Sequence, residues 1–310
     1  MRKFVVGAVL LLASVPLIVA VLLPKDTARL LVDLERARAG LSPGVVTIAG
    51  EPWHFLEGGP ADGELLLLVH GFGGDKDNWM RFSRTLTDTY RVVIPDLPGF
   101  GESNRHWDWD YSARAQATRL QEFVQVLDLE RFHLAGHSMG GHIAGLFAEM
   151  SPEQVQSLAL ITNGGVESPA QSYVAVRAQE GELILIPRTR EEFQRLLEVA
   201  SYEPPFIPWP VGGLLADESI ADADFKEYVL GTLRQQGDND RLEPVLPVLN
   251  IPVFVLWGRH DRLIDVSTVE VIRNLVPDAT YVIMEESGHL PMVEQPDIAA
   301  DHYRKFLDAH

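Results

Sequence analysis

The chain has 310 residues, 46% of them hydrophobic, and a formal net charge of −18. This hydrophobic fraction supports one large core, or a core with a subdomain, and excludes a disordered chain. The acidic charge, without any Lys/Arg cluster, excludes a nucleic-acid partner because phosphate binding needs a basic face. The sequence contains no cysteine, which excludes disulfides, thiolate metal sites and cysteine nucleophiles.

Residues 1–24 are predicted to form a transmembrane anchor. Twenty residues without a charge run from Phe4 to Leu23, after Arg2 and Lys3, and a helix of this length crosses about 30 Å of hydrocarbon. A cleaved signal peptide is the main alternative, but its apolar region usually has only about 7–15 residues. The positive-inside rule places the N-terminus in the cytoplasm. In a bacterium, the rest of the chain would then lie in the periplasm, held at the inner membrane.

Residues 25–43 are predicted to form an amphipathic juxtamembrane helix that ends at Ser42-Pro43-Gly44. Its apolar residues Leu30, Leu34, Ala37 and Leu41 recur at spacings of four, three and four. Such a helix can lie on the bilayer, pack on the following domain, or pair with a second copy to form a homodimer. The sequence leaves these three roles open.

Strands alternate with helices over residues 44–165 and again over residues 248–310. The strands read as unbroken apolar runs, which indicates a mostly parallel sheet with helices on both faces. The predicted strands are Val45–Ile48, Trp53–Leu56, Glu64–Val69, Arg91–Ile94, Phe132–Ala135, Val155–Ile161, Pro252–Leu256 and Thr280–Met284. The predicted helices of this core include Asp77–Thr89, Tyr111–Leu129, Ser267–Val276 and Asp297–His310.

The alternation stops over residues 166–247, which are predicted to be a helical lid inserted into the core. This insertion contains the helical patches Arg190–Ala200 and Asp224–Leu233 and a proline-rich run from Glu203 to Pro210. Within that run, the apolar side chains of Phe206, Ile207 and Trp209 suit an acyl tunnel mouth or a bilayer interface. A small structural subdomain, whose apolar residues only pack together, is the alternative.

The sequence Gly136-His137-Ser138-Met139-Gly140 lies between an apolar strand and a small-residue helix, as a nucleophile elbow does. Glycine two residues before and after the serine permits a tight turn. Ser138 is therefore the candidate nucleophile. The Met139 N–H lies at a helix N-terminus, where it could stabilise an oxyanion.

An acid and a base follow in the chain order expected of such an elbow. Asp261 and His289 each lie just beyond a predicted strand, at the sheet edge where ligand sites form. Asp265 competes for the role of the acid, but Asp261 lies nearer the strand end. Ser138, His289 and Asp261 therefore form a candidate catalytic triad.

These motifs together resemble the α/β-hydrolase superfamily. The segments that carry the resemblance are His70-Gly71-Phe72-Gly73, Asp96-Leu97-Pro98-Gly99-Phe100-Gly101, Gly136 to Gly140, Trp257-Gly258-Arg259-His260-Asp261 and Gly288-His289. The resemblance implies a sheet of about eight strands and a second oxyanion donor at the Phe72 N–H. It also leads us to expect structural roles for His70 and His137.

Within this superfamily the chain is most similar to membrane-anchored monoacylglycerol lipases and to bacterial membrane-bound lipases and phospholipases A. The features responsible are the apolar N-terminus, the elbow Gly136 to Gly141 and the lid segment Leu185 to Glu192. The resemblance implies a serine hydrolase that cleaves acyl esters of monoacylglycerols, lysophospholipids or phospholipids, without a cofactor.

Other functions of this fold remain as alternatives. Carbon–carbon bond hydrolases also have a serine at the elbow, and a general small-ester esterase would have the same triad. A serine rather than an aspartate at the elbow argues against haloalkane dehalogenases and epoxide hydrolases. A non-enzymatic binding protein would be expected to have lost a triad residue, and none is lost here. No metal-ligand cluster or phosphate-binding loop rises above background in the sequence.

Overall fold

A single mixed sheet forms the centre of the protein. The computed structural model describes residues 20–235 and 240–310, and in these the sheet has eight strands in the order β1-β2-β4-β3-β5-β6-β7-β8. The strands are β1 (Leu41–Ile48), β2 (Glu51–Gly58), β3 (Leu65–Val69), β4 (Arg91–Pro95), β5 (Phe132–His137), β6 (Val155–Ile161), β7 (Val253–Gly258) and β8 (Thr280–Met284). Strands β1 and β2 pair antiparallel, β2 also pairs antiparallel with β4, and the remaining pairs are parallel. The predicted mostly parallel sheet of about eight strands is confirmed.

Helices cover both faces of the sheet and also form the insertion between β6 and β7, which is called the lid below after its predicted role. They are α1 (Pro24–Arg38), α2 (Met80–Ser83), α3 (Ala113–Val126), α4 (Met139–Met150), α5 (Tyr173–Gln179), α6 (Arg190–Ala200), α7 (Val211–Ala221), α8 (Ala223–Arg234), α9 (Thr268–Leu275), α10 (Pro291–Glu294) and α11 (Pro296–Leu307). Short 3₁₀ helices span Lys76–Trp79 and Leu246–Val248. Helices α5 to α8 lie between β6 and β7 in the chain, within the predicted lid segment.

The apolar strands are buried on both sides. In β3, Leu67 and Val69 belong to the hydrophobic core on one face of the sheet, and Leu66 and Leu68 belong to the core on the other. Successive side chains of a strand point to opposite faces, so a strand covered on both sides must be apolar throughout. The unbroken apolar runs in the sequence have this origin.

The amphipathic helix predicted over residues 25–43 is shorter in the structure. Helix α1 ends at Arg38, Gly40 follows with a φ of 67°, and Leu41 already begins strand β1. A left-handed φ after a helix end is favourable for glycine, and it redirects the chain into the sheet. Pro43 is tolerated in this strand because β1 lies at the edge of the sheet.

The helix predicted over Asp77–Thr89 is also wrong in extent. The chain forms a 3₁₀ turn over Lys76–Trp79 and the single α-helical turn α2, and then runs through turns to β4. The Asp75 side chain accepts a hydrogen bond from the Asp77 N–H and caps the first turn. Three β-branched residues, Thr85, Thr87 and Thr89, lower the helix propensity of the remainder.

Helix α1 packs on the domain. It contacts the lid helix α7, and the Arg36 guanidinium donates two hydrogen bonds of 2.7 Å to the Asp77 carboxylate. Of the three roles open for this helix, the structure shows packing on the following domain. Among the described residues, no helix has the length and hydropathy to cross a membrane. Most of the predicted anchor, residues 1–19, lies outside the described residues.

Candidate active site

Ser138 occupies a strained turn between β5 and α4. Its φ of 54° and ψ of −119° are unfavourable for a residue with a side chain, and the turn is held in place by neighbouring backbone. The Ser138 N–H donates to the Ile161 carbonyl at 2.9 Å, and the Gly164 N–H donates to the Ser138 carbonyl at 2.9 Å. These bonds tie the elbow to the end of strand β6, which lies beside β5.

The glycines of the elbow are required by close packing of the backbone. A Cβ atom on Gly136 would overlap the Gly140 carbonyl, and one on Gly140 would overlap the carbonyl oxygens of Val69 and His70. Gly136 therefore lets the two sides of the elbow approach each other, and Gly140 lets the elbow pack against the end of strand β3. Their spacing around Ser138 in the sequence has this steric cause.

Asp261 and His289 form a buried hydrogen-bonded pair. The His289 Nδ1 lies 2.8 Å from the Asp261 Oδ2, and both side chains are almost completely inaccessible to solvent. The other carboxylate oxygen, Oδ1, accepts hydrogen bonds from the Leu263 and Ile264 N–H groups at 2.8 and 2.9 Å. Because a carboxylate can only accept, His289 Nδ1 must carry the hydrogen, which leaves Nε2 free to accept a proton.

The competing aspartate has a different role. Asp265 Oδ1 accepts from the Ser267 N–H at 2.9 Å, ahead of helix α9. Asp261 instead lies near the beginning of the loop after β7, and its carboxylate contacts the His289 ring. The structure therefore brings Asp261, and not Asp265, to the histidine.

The loop after β3 passes next to the nucleophile. A Cβ atom on Gly71 would lie 3.0 Å from the Ser138 Cβ, so the backbone that leads to Phe72 runs beside Ser138. Met139 is the first residue of α4, and its N–H has no acceptor within the helix. The two predicted oxyanion donors thus belong to segments that meet at Ser138. The hydrogen bonds of the described residues include none between Ser138 and His289.

His70 and His137 connect the loops around Ser138. The His70 Nε2 accepts from the Leu97 N–H at 3.0 Å, so its Nδ1 donates to the Gly71 carbonyl at 2.8 Å. Burial lowers the pKa of His70 and keeps it in this neutral form. The His137 Nε2 donates to the His289 carbonyl at 2.8 Å, and burial, with His289 nearby, lowers the pKa of His137 well below 6.5.

A buried ion pair supports the same loop and was missed in the sequence. The Lys76 ammonium donates to the Asp96 Oδ2 at 2.6 Å and to the Glu102 Oε2 at 2.7 Å. Asp96 also accepts from the backbone N–H groups of Lys76 and Glu102 at 2.8 and 2.9 Å. This network joins the segment after Gly74 to the turn that starts at Asp96, and no local pattern in the sequence pairs the two.

Glu294 is a second residue that the sequence did not indicate. Its carboxylate accepts hydrogen bonds from the N–H groups of Gly288 and Leu290, on either side of His289, and from the N–H of Tyr202 in the lid. Burial raises the pKa of Glu294, although these backbone hydrogen bonds oppose the rise. The only sequence signal would have been a carboxylate five residues after the base.

The proline-rich run of the lid is largely exposed. The side chains of Phe206 and Trp209 are 82% and 60% exposed, whereas Ile207 is half-buried and packs near Gly212 at the start of α7. The structure thus places Phe206 and Trp209 on the outer surface of the lid. Within residues 20–235 and 240–310, no cluster of metal-ligating side chains occurs.

The α/β hydrolase family matches residues 66–302, which include Ser138, Asp261 and His289. The chain belongs to the α/β hydrolase family. It is 35% identical to Lipase 1 of Psychrobacter immobilis over 91% of this chain and 89% of that protein. It is 28% identical to monoacylglycerol lipase ABHD6 of Homo sapiens over 81% and 77%.

A solved structure of a membrane phospholipase A, described as a bacterial virulence factor, has a TM-score of 0.90 and 43% identity over 100% of this α/β hydrolase and 99% of that chain. The predicted similarity to bacterial lipases, to monoacylglycerol lipases and to a membrane phospholipase A is therefore confirmed. A meta-cleavage product hydrolase from Pseudomonas fluorescens is 21% identical with a TM-score of 0.73 and shares the fold.

Proposed function

We propose that this protein is a membrane-anchored serine hydrolase that cleaves carboxylic esters of lipids. The observation that carries the proposal is the Asp261–His289 pair, at 2.8 Å, on the sheet edge where Ser138 occupies a strained elbow. Relatives named lipase, monoacylglycerol lipase and phospholipase A support lipid esters as the substrate class.

The reaction follows from the atoms at this edge. The Ser138 Oγ attacks the ester carbonyl carbon while His289 Nε2 takes its proton, and Asp261 stabilises the imidazolium through Nδ1–H. The N–H groups of Met139 and Phe72 would hold the oxyanion of the tetrahedral intermediate. When the carbon–oxygen bond breaks, the alcohol leaves with the proton from His289.

The second half of the reaction regenerates the enzyme. The acyl group stays on Ser138 as an ester, and His289 then takes a proton from a water molecule that attacks the acyl carbonyl. Collapse of the second tetrahedral intermediate returns the proton to Ser138 Oγ and releases the fatty acid. All proton transfers use His289, so no metal or cofactor is required.

The anchor and the lid suit a substrate that resides in a bilayer. A chain held beside its lipid substrate by a span over residues 1–24 gains a high effective concentration of that substrate. The exposed Phe206 and Trp209 provide an apolar surface for an acyl chain or the bilayer interface. The exposed apolar residues of α1, Leu30 and Leu34, could contact the bilayer or pair with a second copy in a homodimer.

We further propose that the catalytic domain lies in the periplasm of a bacterium, bound to the inner membrane. This orientation rests on Arg2 and Lys3 before the apolar run, which the positive-inside rule places in the cytoplasm. Protease added to spheroplasts should then digest the domain. Complete protection of the domain in intact spheroplasts, with digestion after lysis, would contradict this orientation.

The proposed chemistry is tested at Ser138 and its partners. Ser138→Ala, Asp261→Asn and His289→Ala should each remain folded and lose at least about a thousandfold in kcat/KM for an ester, because the triad acts as a unit. A fluorophosphonate should label the wild-type protein at Ser138 alone. Labelling that persists in Ser138→Ala would contradict the assignment of the nucleophile.

The same protein distinguishes the alternative functions. Turnover of monoacylglycerol, lysophospholipid and phospholipid in detergent micelles should exceed turnover of a matched water-soluble ester. The opposite order would favour a general small-ester esterase. Hydrolysis of a vinylogous 1,5-diketone, with no ester hydrolysis, would favour a carbon–carbon bond hydrolase.

A further inference from the structure

The backbone around His289 is fixed by hydrogen bonds from three separate parts of the chain. The His289 N–H donates to the Ala200 carbonyl at 2.7 Å, at the end of lid helix α6. The His289 carbonyl accepts from His137 Nε2 at 2.8 Å and from Thr162 Oγ at 3.0 Å. The backbone N–H and carbonyl of His289 are therefore both hydrogen-bonded, and its side chain is hydrogen-bonded to Asp261.

Glu294 completes this arrangement by holding the residues on each side of the base. Its Oε1 accepts from the Gly288 N–H at 2.9 Å and from the Leu290 N–H at 3.1 Å, and its Oε2 accepts from the Tyr202 N–H at 2.7 Å. The Ser287 hydroxyl also lies 3.3 Å from Oε1. A carboxylate offers acceptors only, so it matches a set of three converging N–H donors.

The backbone at Gly288 is closely packed and has little room to move. A Cβ atom on Gly288 would lie 2.8 Å from both the Ala200 carbonyl oxygen and the Tyr202 nitrogen. The base segment is thus packed directly on the end of helix α6. Glu294 lies across this junction and bonds to both sides of it.

We propose that Glu294 is a positioning residue for the base His289, an inference that rests on the proposed function. Glu294 does not reach the reacting atoms. It sets the backbone of residues 288 and 290, and this in turn fixes the position of the His289 ring relative to Ser138. A displacement of about 1 Å at a catalytic group can cost on the order of a hundredfold in rate.

The test is Glu294→Gln in the full chain. The glutamine keeps the size of the side chain, but it replaces one acceptor oxygen by an NH₂ donor that faces N–H donors. We expect kcat on a water-soluble ester to fall by about ten- to a hundredfold per active site, with KM within about twofold. The rate of fluorophosphonate labelling should fall in parallel. Glu294→Asp, which keeps both acceptors, should recover part of the loss.

Active-site titration separates positioning from a merely structural role. Each variant is titrated with fluorophosphonate to completion, and kcat is divided by the fraction of protein that becomes labelled. Loss of folded protein lowers that fraction but leaves kcat per labelled site unchanged. An unchanged kcat per labelled site in Glu294→Gln would overturn the inference.

Two controls complete the design. Glu198→Gln changes an exposed carboxylate of helix α6 that accepts a 3.3 Å bond from Gln194, and it should leave kcat unaltered. Because the base serves every substrate, Glu294→Gln should reduce hydrolysis of short-chain and long-chain esters equally. A loss confined to long-chain lipids would place the effect in the lid and overturn the inference. Ser138→Ala with wild-type turnover would instead refute the proposed function itself.

Discussion

Replacing Lys76 by methionine should destabilise the fold through the charge that it leaves behind. Lys76 and Asp96 are 1% and 0% exposed, and their charged atoms are 2.6 Å apart. Removing one partner of a buried ion pair costs about 3–5 kcal/mol, because the other charge stays buried. Asp96 keeps two backbone hydrogen bonds, from the N–H groups at positions 76 and 102, so we expect about 3 kcal/mol.

The measurement is urea unfolding of the full chain in detergent, followed by tryptophan fluorescence. The free energy of unfolding is obtained from the midpoint and the slope of the transition. Lys305→Met is the matched control, because Lys305 lies 2.7 Å from Asp301 on the exposed surface of α11. The control should show no measurable change, since exposed ion pairs contribute little.

The pH dependence of this effect has a definite sign. Burial lowers the pKa of Lys76 and the Asp96 charge raises it, and the net result is a rise above the ordinary value of 10.5. The stabilisation by the Lys76 cation is therefore fully present below pH 10.5, and it is lost only as the pH rises through the raised pKa. The difference between wild type and Lys76→Met should be constant from pH 6 to 9.

A second substitution identifies the source of the lost stability. Asp96→Asn in the Lys76→Met background removes the buried charge and should recover part of the loss. Equal destabilisation by Lys76→Met and Lys305→Met would refute the reasoning. The reasoning would also be refuted if Asp96→Asn lowered the free energy of unfolding as much in the Lys76→Met background as it does in the wild type.

Two further predictions concern the elbow and the lid. Gly140→Ala should abolish ester hydrolysis or folding, because its Cβ would overlap the carbonyl oxygens of Val69 and His70 at the end of β3. Gly231→Ala is the control: this glycine has open space around it in helix α8, and the substitution should raise the thermal midpoint slightly. Equal melting temperatures and activities for the two variants would contradict the steric argument. Phe206→Ala and Trp209→Ala should lower kcat/KM for long-chain lipid esters by about tenfold and leave a water-soluble ester unaffected, because their side chains are exposed and belong to the lid. An equal loss on both esters would show that these residues only pack.

The elbow and the sheet could be predicted from the sequence because their signals are local. An unbroken apolar run such as Leu65–Val69 can be buried on both faces only in a covered parallel sheet. Glycines two residues before and after Ser138 are the residues that the turn requires. The same alternation of strands and helices placed Ser138, Asp261 and His289 just beyond the ends of predicted strands, at one edge of the sheet.

Other features were decided by contacts between segments far apart in the chain. The sequence favoured Asp261 over Asp265 only because Asp261 lies nearer the strand end. Its contact with the histidine depends on how the loop after β7 folds against the segment after β8. Helix α1 had three open roles until its Arg36 was found bonded to Asp77. Its end at Arg38 depends on the pairing of β1 with β2.

The supporting residues of the site belong to this second class. Lys76 pairs with Asp96, and Glu294 bonds to Tyr202 across 92 positions of the chain. The periodicity and turn residues of a sequence report the conformation of each segment, since they act within a few residues. A buried charge acquires its partner only when the loops have packed together, because its cost and its compensation both depend on the surrounding tertiary structure.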